Sequence, residues 1–134
     1  MSTFPLKIVT PDGVRFDGEA ERLVVRTTSG DVAILARHIN YVAPLGMGQA
    51  SVTVEGQIRR GACIGGMVSV VDGVVTLVPT TFEWSDDIDV DRAEASKQRA
   101  EAVLQKTDAN DLEISLAEAR LKRALIRTNV AKYR

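Results

Sequence analysis

Four arginines near the end of the chain are spaced for the capture of an anion. Arg92 and Arg99 lie seven residues apart and Arg123 and Arg127 four apart, so each pair shares a face if its segment is helical. Like charges at such spacings repel by about 0.2–0.5 kcal/mol on an isolated helix. Were two such helices folded back with these faces together, an anion would relieve the repulsion through bidentate hydrogen bonds. Glu83 and Asp89, just upstream, are acceptors of the kind that ribose hydroxyls or an adenine amino group would meet. A phosphate-bearing nucleotide held without a glycine-rich loop would satisfy this set. The competing reading is ordinary surface charge. Asp89 is a good helix N-cap, and Asp89–Arg92 or Glu118–Lys122 would be solvent-exposed pairs contributing under about 1 kcal/mol.

The remaining candidates carry less chemistry. His38 is the only histidine and has neither a serine nor a cysteine near it in sequence, so neither a catalytic triad nor a zinc site follows; a contact or structural role fits it. Cys63 is the only cysteine, so no intrachain disulfide forms, and its apolar flanks Ala62 and Ile64 suit a small buried hydrophobe. Gly65-Gly66 interrupts an apolar run, as at a bulge, a close approach by another backbone, or an interface.

The elements that must position these residues divide abruptly at Ile88. All ten glycines and all four prolines precede it. Residues 1–87 read as short strands, beginning with Phe4, Leu6 and Ile8 on one face and recurring between turn signals such as Pro11-Asp12-Gly13, Glu55-Gly56 and Asp72-Gly73. Strand segments are expected over 14–17, 20–27, 32–35, 41–45, 50–54 and 74–78, with an exit strand near Phe82. That rhythm predicts an antiparallel β-sandwich or flattened barrel. Residues 88–134 then predict an antiparallel two-helix hairpin. The first helix runs from about Asp89 to Lys106 and the second from about Leu112 to Ala131. Leu112, Leu116, Ala119, Arg123, Ile126 and Val130 form its expected inner stripe. The first helix offers mainly alanines, namely Ala93, Ala95, Ala100 and Ala102. Apolar burial contributes roughly 25 cal/mol per Å², so a hairpin built on alanine is held by only a few kcal/mol and can open. Unfolded into one helix it would reach about 70 Å at 1.5 Å per residue.

Composition narrows the partners. Charge is almost balanced, with 17 basic and 18 acidic residues, so nothing demands nucleic acid. From Arg120 onward the charged residues are all basic: Arg120, Lys122, Arg123, Arg127, Lys132 and Arg134. That end suits the helix dipole or an acidic partner. No apolar run is long enough to span a bilayer, and Met1-Ser2-Thr3-Phe4 carries no targeting signal, so any membrane association is expected to come through partners.

Over nearly its whole length the chain resembles the epsilon subunits of bacterial F-type ATP synthases. The likeness rests on Ile8-Val9-Thr10-Pro11-Asp12-Gly13, on Glu19-Ala20-Glu21, on Ala33-Ile34-Leu35 leading to His38, on Gly65-Gly66 and on Ile88-Asp89-x-x-Arg92-Ala93. The last is the most specific, resembling the ATP-recognition motif of members that bind nucleotide on a C-terminal hairpin. One departure lies before His38, where Ala33, Ala36 and Arg37 stand in place of the family's usual Gly, Pro and Gly. The resemblance implies a noncatalytic rotor subunit on the cytoplasmic face of the bacterial plasma membrane, peripheral and attached only through the complex. Residues 1–87 would bind the gamma subunit and the c-ring, with Asp31, His38, Gly65 and Gly66 among the contacts. Residues 88–134 would form a regulatory arm that, when extended, brings Arg120 and Lys122 to the alpha/beta catalytic head and blocks ATP hydrolysis. ATP, as a regulatory ligand at Glu83, Ile88, Asp89, Arg92, Ala93, Arg99, Arg123 and Arg127, would favour the compact arm. No cofactor is required on this reading, and participation of magnesium stays open. The alternative from another class is a free-standing nucleotide sensor not attached to a synthase. An enzyme is the weakest reading, because a nucleophile–base pair and metal ligands are both missing from the sequence.

Overall fold

The computed structural model describes residues 2–133; Met1 and Arg134, the last of the basic run, lie outside the described residues. The chain divides into two compact units, Met1–Trp84 and Ser85–Arg134. The division falls a few residues before the compositional change at Ile88.

The first unit is a sandwich of two five-stranded sheets. One has the order β2-β1-β9-β8-β5 and the other β10-β7-β6-β3-β4. The strands are β1 Phe4–Thr10, β2 Gly13–Ala20, β3 Arg22–Thr27, β4 Gly30–Ile34, β5 Tyr41–Pro44, β6 Met47–Val54, β7 Gln57–Ile64, β8 Met67–Val71, β9 Val74–Val78 and β10 Thr81–Trp84. Alternation decides which residues enter the core: Phe4, Leu6 and Ile8 of β1 are buried while Pro5 and Lys7 are exposed. They meet Leu23, Val25, Val52, Val68, Val70, Val75 and Leu77 from both sheets. One pairing is parallel, β1 with β9 in the register Leu6↔Val75, so the expected fully antiparallel sandwich has one exception and no barrel closes. The long connection between these strands leaves β9 free to run alongside β1, as a two-residue hairpin would not.

Strand ends follow the turns. Glu55-Gly56 and Asp72-Gly73 both take positive φ (49° and 77°; 49° and 81°), the signature of two-residue hairpins whose twist matches the strands. The strand expected over 20–27 is broken at Glu21. Its buried carboxylate instead accepts a 2.7 Å hydrogen bond from the Gly56 N–H, tying the β2–β3 corner to the β6–β7 turn. Trp84 closes the sandwich. Its indole Nε1 donates to the Arg15 carbonyl (3.0 Å), Phe82 stands edge-on to it, and the Arg59 guanidinium lies 3.9 Å from the ring centroid.

The second unit opens with a 3-10 turn, Ser85–Asp87, followed by α1, Val90–Leu104, and α2, Asp111–Ala131. Each helix has a side-chain cap. Asp89 accepts from the Arg92 N–H at 3.0 Å, and Asn110 from the Glu113 N–H at 2.8 Å. The short connection makes the helices antiparallel neighbours packed on each other. Their buried residues are Ala93 and Ala100 of α1 and Ala117, Ala124, Val130 and Ala131 of α2. Of the expected stripe Val130 is buried and Ala119, Arg123 and Ile126 are half-buried, but Leu112 and Leu116 are 68% and 46% exposed, and the buried line is rotated toward alanines seven residues apart. Ala95 and Ala102, also expected inside, are half-buried and exposed respectively. Spacing of seven keeps small residues on one face of both rods, and leucines there would hold the axes apart. No helix among the described residues is long and apolar enough to cross a membrane.

Candidate functional site

Between α1 and α2 lies a cleft of about 490 Å³. Ser96 and Arg99 come from α1, and Arg120, Arg123 and Arg127 from α2, over a floor of Ala100 and Ala117. Arg123 and Arg127 are half-buried, while Arg99 and Arg120 are exposed. The alanine floor matters to the chemistry, because small residues at the contact leave room beside it for guanidiniums to converge. Several guanidiniums around one cleft, with no carboxylate among the described lining residues, are bidentate donors of the kind that suits a polyanion.

The arginines expected from the sequence are therefore only partly brought together. Arg99, Arg123 and Arg127 share the cleft. Arg92 does not line it: helical spacing puts it on the side of Ser96 and Arg99, one turn beyond the edge, and it is exposed. Arg120, expected as a contact to another subunit, stands in its place. The signal was present in the sequence, because Arg120 precedes Arg123 by three residues and Arg127 by seven, which places all three on one side of α2. Ser96 was not foreseen; a serine mid-helix gives no signal without the partner helix. Lys122 is exposed and outside the cleft.

Other expected residues have clear local roles. Asp89 caps α1 through the Arg92 backbone and not through its guanidinium, which leaves its second carboxylate oxygen for another donor. Ile88 and Ala93 are buried, at 2% and 4%. Glu83 sits on β10 opposite Ala62 of β7, within the sandwich unit, and is half-buried. Asp31 pairs with Arg26 across β3 and β4, Nε to Oδ1 2.8 Å, in full view of solvent. His38 Nδ1 lies 2.7 Å from the Ile39 carbonyl and its ring meets Tyr41 edge-on. Gly65 and Gly66 form the turn between β7 and β8 with φ of 67° and 93°. A Cβ on Gly66 would collide with the Val78 carbonyl, so the close approach of a neighbouring backbone accounts for that glycine. The Cys63 thiol is buried and pushed up to about 12 by desolvation, so it is no nucleophile near neutral pH.

The sandwich also carries an exposed apolar surface. On the outer face of the first sheet Met67 lies opposite Val78 and Val71 opposite Val74. Val42 of the edge strand is exposed opposite Ser69, and Leu35 and Ile39 expose apolar side chains in the loop before it. The polar pair Ser69–Thr76 separates the two apolar pairs, so the face is a mixed one, of the sort found at protein interfaces.

Two family descriptions tile the chain. Residues 3–85 match the beta-sandwich domain of the ATP synthase delta/epsilon chain, and residues 86–132 match its long alpha-helix domain. The chain belongs to the ATP synthase delta/epsilon family. It is 44% identical over 132 residues to the ATP synthase epsilon chain of Ruminococcus albus, with 98% of each chain covered. The epsilon chain of Bacillus licheniformis is 43% identical over 132 residues, covering 98% of this chain and all of that one. The fold is also that of a chain in the cryo-EM structure of the Euglena gracilis mitochondrial ATP synthase OSCP/F1/c-ring. There the TM-score is 0.83 at 21% identity, over 100% of this chain and 83% of that one. Members of the family are structural and regulatory subunits, so the chain is not a catalytic one.

Proposed function

We propose that the chain is a rotor subunit of the central stalk of a bacterial proton-translocating ATP synthase. Its sandwich binds the gamma subunit and the c-ring, carrying proton-driven ring rotation to the catalytic head. Its hairpin restrains ATP hydrolysis when extended along the alpha/beta head and is held closed by ATP. The complex places it peripherally, on the cytoplasmic face of the plasma membrane. The exposed apolar side chains of Val42, Met67, Val71, Val74 and Val78 on one sheet face support a stalk-side interface.

The observation that carries the regulatory half is a hairpin buried largely through alanine whose helices converge guanidiniums on one cleft. Weak apolar packing makes opening cheap, and clustered positive charge makes the closed form the better polyanion binder. A ligand shifts such an equilibrium only by its difference in affinity for the two forms. Ile88, Asp89, Arg92 and Ala93 at the start of α1, with Arg99, Arg123 and Arg127, would supply that difference. The test is ATP hydrolysis by synthase reconstituted with the full chain or with a chain ending after Asp87. Faster hydrolysis with the shortened chain supports the brake, and equal rates leave only passive coupling.

A further inference from the structure

We propose that Arg37 decides which partner the loop over residues 35–40 accepts: a protein surface that offers one carboxylate inside an apolar rim. On the stalk reading above, that surface belongs to the c-ring. The identity of the partner rests on that reading; the role of Arg37 and the chemistry facing it go beyond it.

Arg37 holds a backbone conformation that an arginine adopts only at a cost. The His38 N–H donates to the Leu35 carbonyl (3.3 Å), closing a turn, and Arg37 at its third position has a φ of 64°. Turns with positive φ there take glycine or asparagine, because a Cβ crowds the carbonyl oxygen. Glu55 and Asp72 also have positive φ, but each opens a tight hairpin turn completed by glycine. Arg37 is followed by His38, in a loop that crosses from β4 in one sheet to β5 in the other. The fold makes no use of its side chain, which is exposed and, among the described residues, forms no ion pair. Asp72 lines the same shallow hollow, yet it is the Asp72 backbone that is bonded, to Asn40. A strained residue that the fold does not use points to binding.

The loop around Arg37 is fixed before any partner arrives. Asn40 Oδ1 accepts from the Asp72 N–H at 2.9 Å, and His38 is held by the Ile39 carbonyl and the Tyr41 ring. Leu35 and Ile39, two residues to either side of Arg37, are 52% and 78% exposed. Val42, 63% exposed, carries this apolar surface onto the outer face of the first sheet. A preformed arginine among aliphatic side chains has the make-up of an interface hot spot, since burial of the aliphatics dries the charge pair. Its planar fork matches one carboxylate. A lipid headgroup surface calls for several cations, and loop 35–40 has no other arginine or lysine.

The test compares the parent with Arg37→Gly and Arg37→Lys in the urea midpoint of the full chain and in its affinity for purified c-ring and for gamma subunit. Arg37→Gly relieves the turn and removes the fork. It should raise the urea midpoint, weaken c-ring binding roughly tenfold and leave gamma binding within about twofold. Arg37→Lys keeps both charge and strain but loses the planar fork. It should leave the midpoint unchanged and weaken c-ring binding by about threefold or more. A lower midpoint in Arg37→Gly would make the arginine a structural residue. Unchanged c-ring affinity, or an equal loss for gamma, would remove it as the selecting contact. Each of these overturns the assignment and leaves the stalk reading intact. Parent binding to phosphatidylglycerol vesicles that Arg37→Gly abolishes, with c-ring affinity unchanged, gives the loop to lipid and overturns it too. A parent chain that binds neither c-ring nor gamma defeats the stalk reading itself, and the assignment with it.

Discussion

An alanine at Gly66 would drive its methyl group into the Val78 carbonyl, at a residue whose φ of 93° already disfavours any side chain. Gly66→Ala should cost about 2–4 kcal/mol, read as a lower urea midpoint with unchanged slope. Cys63 gives the opposite kind of test. With its thiol raised from the ordinary 9.0 to about 12, it should resist a maleimide at pH 8 in the folded chain and react once urea unfolds it. The sign for stability follows: the protonated thiol favours the fold fully below pH 9, and that contribution disappears as pH rises from 9 toward 12. Among the arginines, Arg127→Ala should weaken ATP binding by roughly tenfold, and Arg92→Ala should weaken it as well. Unchanged affinity by calorimetry in both would remove the nucleotide site. Cys63 could be read in advance, because its apolar neighbours announce burial. Arg92 could not be placed, because a shared helix face does not say which part of that face meets the other helix.

At the scale of elements, the strands were legible because alternation and turn chemistry agree: Glu55-Gly56 and Asp72-Gly73 fix two hairpins, and Phe4, Leu6 and Ile8 fix a face. The parallel β1–β9 pair was not, since pairing between residues as distant in sequence as Leu6 and Val75 leaves no local trace. The helices were found to within about two residues. Their inner faces were misread because leucine is the stronger apolar signal, whereas close approach of the two rods selects alanine. Ala124→Leu tests this directly. An inner alanine should tolerate the larger side chain poorly, destabilising the hairpin by about 1–3 kcal/mol, while Leu116→Ala at an exposed position should change little. Helical ellipticity at 222 nm during a thermal scan separates the two outcomes.

For the molecule as a whole, a sandwich with its own core and a thinly packed hairpin should not share one unfolding transition. A chain ending after Asp87 should keep the near-ultraviolet signal of Trp84, whose ring is held by Phe16, Phe82 and Arg59 of the same unit. The division into two units was legible from glycine and proline alone, because helix breakers stop where the helices begin. What the hairpin is for was less legible, since guanidiniums on a helix look alike whether they meet solvent or phosphate until the facing helix is in place. The most direct measurement is thermal unfolding of the full chain, followed at 222 nm and by near-ultraviolet signal, with and without saturating ATP. The hairpin transition should come first and rise with ATP according to RT ln(1 + [L]/Kd), while the sandwich transition stays fixed. A single coincident transition, or a hairpin transition that ATP leaves unmoved, would contradict the switch.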